Sequence, residues 1–448
     1  MSAAGLVPVL GLAQEAGLHE LADAHLSVPG DKGANAGAKT VSLVAGMVAG
    51  ADSIDDMGLL RHGGMRRVFA HAYAPSTLGS FLRAFSFGHV RQLDAVAARF
   101  LARVAARAPV VAGIGEYAIV DVDDTVIEVH GYAKQGAGFG YTKVRGLNAL
   151  LATVTTATAA PVIVAQRLRQ GSANSARGAH RPGADALAIV NAMRPAAAPG
   201  KVLVRADSAF YGRPLVLAAV RAGADVSVTV RLDAKVKAAL AAISEDAWTT
   251  IEYRDAVFDE ATGCWISRAE VAEIPFTAFA SKKVSEQVPG RLVVRRIPDL
   301  NSQAQAGQAT LFDTWRFHAF FTTASAAVMD TVTADKTHRA HAVIEQVHAD
   351  LKDSALAHLP SGVFAANAAW LVLAVMAFNL TRAAASLTGH PLARATTGTI
   401  RRRLITVPAR TASSARRLIL HLPTAWPWQQ AWQALFTRIC GPPQPVLS

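Results

Sequence analysis

The sequence predicts a mixed α/β protein, and three observations carry that expectation. Between residues 117 and 231, runs rich in Val, Ile and Leu alternate with helix-period segments, an order that builds a sheet flanked by helices. The first 110 residues lack strand alternation and read as helices. From about 246 to 323 the pattern turns strand-like with no helical segment between the runs. At 448 residues the chain is longer than one ordinary core accommodates, so two or three domains are expected.

In the helical N-terminal part, Gly-rich turns such as "GDKGANAG" and "RHGGMRR" punctuate short helices. Within "APSTLGSFLRAFSF", Ser76 or Thr77 is placed to cap a helix whose Leu78, Phe81, Leu82 and Phe85 form an apolar stripe. Arg66, Arg67, Arg83 and Arg91 make this region a candidate DNA-binding module. A plain helical subdomain with a solvated basic face is the competing reading.

The middle of the chain reads β-β-β-α-β-α-β. The strand "YAIVDVDDTVIEV" is followed by the loop "HGYAKQGAGFGYTKVRG" and then by strands at "LLATVTT" and "PVIVAQRL". A helix near "GADALAIVNAMRP", the strand "KVLVRAD", a helix near "RPLVLAAVRAG" and the strand "DVSVTVRL" complete it. The loop glycines match no phosphate-cradling pattern and read as hairpin punctuation. An all-β stretch follows, with "TTIEYRDAVFD", "CWISRAEVAEI", "GRLVVRRIPDL" and "WRFHAFFTT". A long helix is expected at about 335–353, then an apolar helix around Trp370. In "LPTAWPWQQAWQALF", Trp426, Trp428 and Trp432 suit either packing or stacking on bases.

Composition narrows the function classes. Hydrophobic residues make up 51% and charged residues 17% of the chain, which favours large cores over disorder. The longest apolar run, Ala368 to Phe378, is bounded by Asn367 and Asn379 and is shorter than the roughly 20 residues a bilayer requires, so it reads as a core helix. The N-terminus carries Glu15, Glu20 and Asp23 where a secretory signal would be basic and then apolar. Cys264 and Cys440 are the only cysteines, which argues against a disulfide framework or zinc cluster and fits a reducing cytoplasm.

Net charge is +12, and most of the excess sits in one tail. From Ser354 to Ser448 there is no Asp or Glu, while Arg382, Arg394, Arg401, Arg402, Arg403, Arg410, Arg416, Arg417 and Arg438 supply positive charge. Guanidinium groups without acids suit contact with phosphate oxygens. Codon bias in Ala- and Arg-rich proteomes is the alternative source of such a tail.

The first strand carries three acids in four positions, although strands avoid Asp. On a period of two, Asp121 and Asp123 share one face, roughly 7 Å apart at a rise of about 3.3 Å per residue, and Asp124 takes the other. Like charges at that spacing call for a cation between them or a proton on one, and hard Mg2+ prefers carboxylate oxygen. A strand end running into solvent is the other reading. Two further acids stand where the element order brings them near: Asp207 in "VRADSAFYG", which also suits a helix cap, and Glu345 in "DKTHRAHAVIEQVHADLK". On that helix Val343, Ile344, Val347 and Leu351 gather on one side, while His338, His341, Glu345 and Lys352 gather on another. A zinc site from His338, His341 and Glu345 is a minor alternative.

The segments "VDVDDTVIEVHG", "GYTKVRGLNALLATV", "VLVRADSAFYG" and "HRAHAVIEQVHADLK" resemble the motifs of bacterial insertion-sequence transposases of the DDE type. The resemblance extends to "IDDMGLLRHGGM" and "STLGSFLRAF" near the start and to "RRRLITVPAR" with "LILHLPTAWPW" near the end. It implies an α/β fold with a ribonuclease-H-like core, a mixed five-stranded sheet with flanking helices, interrupted by an all-β insertion. The expected divisions are a helical DNA-binding domain at 1–110, core at 111–245, insertion at 246–325, core with the Glu helix at 326–390, and a basic, helical, Arg-rich region at 391–448. By motif match Asp123, Asp207 and Glu345 are the catalytic and metal-binding acids. Two Mg2+ ions, with Mn2+ substituting, are the implied cofactors. Strand cleavage and transfer are in-line displacements at phosphorus, for which carboxylates shared between two ions are suited.

The family signature Y-x2-R-x3-E-x6-K keeps its Glu345 and Lys352, whereas His338 and His341 stand at the Tyr and Arg positions. Lys352, Arg339, His341, Arg401, Arg402 and Arg403 are the expected DNA contacts. The implied partners are double-stranded terminal inverted repeats and target DNA, with no membrane, in a cytoplasmic protein that dimerises on DNA ends. A catalytically impaired DNA-binding derivative and a metal-dependent nuclease are the competing functions.

Overall fold

The structure is a computed structural model and describes every residue except 70–71, 261–262, 299–314, 390, 415–416 and 443–448. Arg416 and residues 299–314 of the expected all-β stretch therefore lie outside the described residues.

The N-terminal part is helical: α1 Leu6–Glu15, α2 Leu18–His25, α3 Ala36–Ala49, α4 Met65–Val68, α5 Pro75–Arg83 and α6 Phe87–Ala105. Helix α5 starts earlier than expected. Pro75 occupies its first turn after Ala74, where the fixed φ of proline is already helical, so Ser76 and Thr77 lie inside the helix. The anticipated stripe of Leu78, Phe81, Leu82 and Phe85 is buried.

Ten strands then form one sheet: β1 Tyr117–Glu128, β2 Gly138–Phe139, β3 Arg145–Thr155, β4 Val162–Gln170, β5 Lys201–Ala206, β6 Asp225–Thr229, β7 Thr249–Asp259, β8 Cys264–Ala278, β9 Val288–Pro298 and β10 Trp315–Thr322. Their order is β2-β3-β1-β5-β6-β10-β9-β8-β7, with β4 also paired to β3. β1 runs antiparallel to β3 and parallel to β5, and β5 runs parallel to β6. Helices α7 His180–Met193 and α8 Arg213–Arg221 connect these strands, and α9 Ala234–Ala241 follows β6. The β-β-β-α-β-α-β order matches the sequence expectation, with the two-residue β2 added inside what reads as a loop.

The all-β stretch does not stand as a separate sheet. β10 pairs antiparallel with β6, Phe320 opposite Thr229, and carries β9, β8 and β7 outward from it. An unpaired β6 edge would leave a row of exposed backbone groups, and β10 satisfies them.

The expected long helix is broken. α10 Thr331–Arg339 and α11 Val343–Lys352 are separated by a 3-10 turn at Ala340–Ala342. Arg205 braces the break, its guanidinium donating to the carbonyls of Thr337 and Ala340.

Helix α12, Phe364–Ser386, is the one described helix long and apolar enough to cross a bilayer, but 89% of its most apolar window is buried inside the protein. It packs on α6, α3 and β4, as a core helix does. One connected cluster of buried side chains runs from Ala3 to Leu435 and includes the N-terminal helices. The tail holds α13 Thr397–Ile400, a π-helical turn at Arg401–Ile405, and α14 Gln429–Cys440. Between them β11 Arg410–Ser414 and β12 Arg417–His421 form an antiparallel ribbon, where a wholly helical tail was expected.

Candidate active site

The three acids of β1 have three different environments. Asp121 is fully buried, and Arg205 donates from Nε to its Oδ1 at 2.7 Å and from Nη2 to its Oδ2 at 2.8 Å. Asp124, on the other face, receives Arg169 Nη2 at 2.5 Å and the side-chain amide of Asn148. Arg169 in turn donates to the carbonyls of Ser175 and Arg177 and so ties down the loop after β4. Both acids therefore have buried guanidinium partners. Asp123 has none: among the described residues its neighbours are the amide of Asp124, 2.7 Å from Oδ1, and His348 Nδ1, 3.7 Å from Oδ2.

The parallel register sets Val122 opposite Ala206, which brings Asp207 level with Asp123 one strand away. Asp207 turns the chain out of β5 and accepts the Ala209 amide at 3.0 Å. Burial raises the Asp123 carboxyl to about 7, with the charge of Asp207 adding to the rise. Burial also raises Asp207, with the charge of Asp124 adding. Two carboxylates, Asp123 half-buried on β1 and Asp207 exposed just beyond β5, with no Lys or Arg paired to either among the described residues, make a donor set fitted to a hard cation.

Glu345 is exposed in the first turn of α11, while Ile344, Val347 and Leu351 anchor the helix in the core. Among the described residues no three His, Cys, Asp or Glu side chains converge at ligand spacing. Neither do His338, His341 and Glu345 converge as the zinc alternative required. His338 stacks on Phe320 at 4.1 Å, its ring nitrogens 2.8 and 2.9 Å from the hydroxyls of Ser227 and Thr229. Burial pushes it down to about 3, so it is a neutral packing residue.

The expected DNA contacts fall into two groups. His341 turns inward: its Nδ1–H donates to Asp121 Oδ1 at 2.7 Å, and its Nε2 is buried without a partner among the described residues. Arg401 is half-buried in the field of Asp350 and Asp353, and burial lowers its pKa. Arg402 and Arg403 are exposed, the first bonded to Thr399 Oγ1 at 3.2 Å and the second 4.2 Å over the Trp428 ring. Arg339 donates to Asp335 at 2.8 Å. Lys352, its pKa lowered by burial, ends α11 at the wall of a cavity of about 580 Å³ that also meets Thr125 and Tyr141.

Arg205, Arg169 and His348 are functional neighbours that the sequence pattern alone does not single out. A charged residue inside an apolar strand, as in "VLVRAD", is the available signal for Arg205. His348 lies one turn beyond Glu345, on the helix face that periodicity assigns to apolar packing. It is buried, and burial holds it down near 4.

No curated protein matches the chain at a significant level. The family model described as transposase DDE domain group 1 matches residues 1–443. With that match across nearly its whole length, the chain belongs to the DDE transposases of the insertion-sequence type.

Proposed function

We propose that this transposase binds the terminal inverted repeats of its own element, cuts one strand at each end with Mg2+, and joins the freed 3′ ends to target DNA. The observation that carries the reading is the isolation of Asp123: its neighbours Asp121 and Asp124 are neutralised by Arg205 and Arg169, and it alone faces Asp207 without a guanidinium. Asp123 and Asp207 would hold the cation from the sheet, with Glu345 on α11 as the third proposed ligand. Bound there, a pair of divalent ions supplies activation of the attacking oxygen and neutralisation of the leaving one. Mn2+ serves in place of Mg2+.

In this reading β1 and β3–β6 with α7 and α8 are a ribonuclease-H-like core spanning 111–245 and 326–390, β7–β10 are its all-β insertion at 246–325, and 391–448 is a basic region. Residues 1–110 assist in end recognition. Lys352, Arg339, Arg402 and Arg403 contact phosphates, whereas His341 and Arg401 act by holding the frame on which those contacts stand. The protein is cytoplasmic and works as a dimer across two ends.

His338 and His341 at the family's Tyr and Arg positions favour one competitor, a DNA-binding derivative without catalysis. The test uses the DNA that flanks the gene. With imperfect inverted repeats from both sides as substrate, Mg2+-dependent nicking at the repeat boundary and joined products are expected. Binding without cutting in Mg2+ or Mn2+ would establish the competitor, and cutting without joining would establish a nuclease.

A further inference from the structure

The loop between β1 and β3 reads from sequence as punctuation, yet it exposes three large aromatic side chains. Tyr132 is 97%, Phe139 66% and Tyr141 68% exposed. Water-facing rings at this density cost hydration free energy and mark a contact surface. The loop's backbone is nonetheless firmly tied. The amide of Gln135 donates to the Gly362 carbonyl at 2.9 Å, and its side-chain oxygen accepts the Phe364 amide at 3.0 Å. Lys134 donates to the Leu359 carbonyl, and the Gly171 amide to that of Gly136 at 3.0 Å. Gly136 has φ +78° and no room for a side chain against Phe364. A pre-formed loop that still turns its rings outward has them arranged for a partner.

The charge and position of the loop indicate which partner. From Val129 to Gly146 there is no acid, and His130, Lys134, Lys143 and Arg145 are present. Arg145 donates to the carbonyls of Gly131 and Tyr132 and lies 5.6 Å from the Tyr132 ring centre. The loop lies near the acid pair: Tyr141 and Lys352 line the 580 Å³ cavity together with Glu128 and with Thr125, two residues beyond Asp123 on the same strand. The Tyr141 phenol is raised first by burial and then by the charges of Asp124, Asp123 and Asp207. Rings interleaved with cations beside a phosphodiester-cutting centre match a single-stranded nucleic acid, whose bases stack while its phosphates pair with the cations.

We infer that the 130–145 loop is a stacking platform for unpaired bases of the DNA strand at the cutting site, with Tyr132, Phe139 and Tyr141 supplying the rings and Lys143, Arg145 and Lys352 the phosphate contacts. The inference rests on the transposase reading above and adds a subsite to it. The platform holds a few opened nucleotides next to Asp123 and so favours frayed or melted ends over intact duplex.

The test measures binding of the full chain by fluorescence anisotropy to two probes, a blunt duplex and the same duplex with a short single-stranded oligothymidine 3′ tail. The tailed probe is expected to bind on the order of tenfold tighter. The variant Tyr132→Ala/Phe139→Ala/Tyr141→Ala should lose that preference and keep its affinity for the blunt probe, whereas Phe139→Trp should retain the preference. Equal losses on both probes, or no loss on either, would overturn the platform. A variant altered only in sedimentation would assign the rings to a contact between two copies of the chain and overturn it also. Cutting of repeat ends by wild type and triple variant alike would remove the platform while leaving the transposase reading intact; failure of wild type to bind either probe would remove both.

Discussion

Arg205 and Asp121 form a buried bidentate pair that joins three elements, since the same guanidinium also donates to the carbonyls of Thr337 and Ala340 at the break between α10 and α11. Removing one member strands the other charge in the core, at a cost of about 3–5 kcal/mol. Asp121→Asn and Arg205→Met are each expected to lose that much unfolding free energy in urea titrations. A loss below about 1 kcal/mol would mean that water replaces the missing partner.

Asp123→Asn, Asp207→Asn and Glu345→Gln should each abolish cutting and leave end binding largely intact, because phosphate contacts elsewhere hold the DNA. Gel-based nicking and mobility-shift assays on the same preparations check this. Near wild-type nicking by any one variant would remove that residue from the proposed set.

His348 is expected to orient Asp123. With Oδ1 taken by the Asp124 amide and His348 beside Oδ2, the carboxylate keeps its remaining lone pairs for a cation. Loss of such an outer partner commonly weakens metal affinity about 10- to 100-fold. Calorimetric Mn2+ titration should report that loss in His348→Ala and a partial recovery in His348→Asn, whose amide offers a polar N–H beside Oδ2. Equal affinity in all three proteins would leave His348 a packing residue.

The raised Asp123 carboxyl sets a pH dependence with a definite sign. Its folded-state value of about 7 lies above the ordinary 3.8, so below about pH 7 a proton competes with the cation for the site. Divalent affinity is expected to fall as pH drops from about 8 to 6, and Asp123→Asn should flatten that part of the profile. In chelator the same shift makes the folded chain bind the extra proton, so this group's contribution to stability declines as pH rises from 3.8 towards 7. Thermal melts of wild type and Asp123→Asn across that range should diverge accordingly.

Arg402 and Arg403 are the exposed members of the tail triplet, while Arg401 faces Asp350 and Asp353. Replacing the exposed pair with Ala should reduce the slope of log K against log salt by about 0.9 for each phosphate that the pair neutralises. An unchanged slope would take the pair out of the DNA interface. Arg401→Ala should instead lower stability.

Element order was legible in the sequence because it is local. Periods of 2 and 3.6, Gly and Pro punctuation, and the apolar run at α12 place most of the core strands and helices with no knowledge of contacts. The match to family motifs points to Asp123, Asp207 and Glu345 as the proposed acids. What sequence could not decide was which acid of "DVDD" stays without a cation, because alternation assigns a face and not a partner. That choice depends on Arg205 and Arg169, 84 and 45 residues away, meeting Asp121 and Asp124 through sheet pairing. The same holds for His341, whose place in the motif suggested DNA but whose ring donates to buried Asp121, and for Arg401, which is half-buried in the field of Asp350 and Asp353. It holds too for the exposed rings of Tyr132, Phe139 and Tyr141. Exposure beside the acid pair is a property of the assembled sheet and its tethered loop, since desolvation and ion pairing are decided by groups that only tertiary packing brings within a few ångströms.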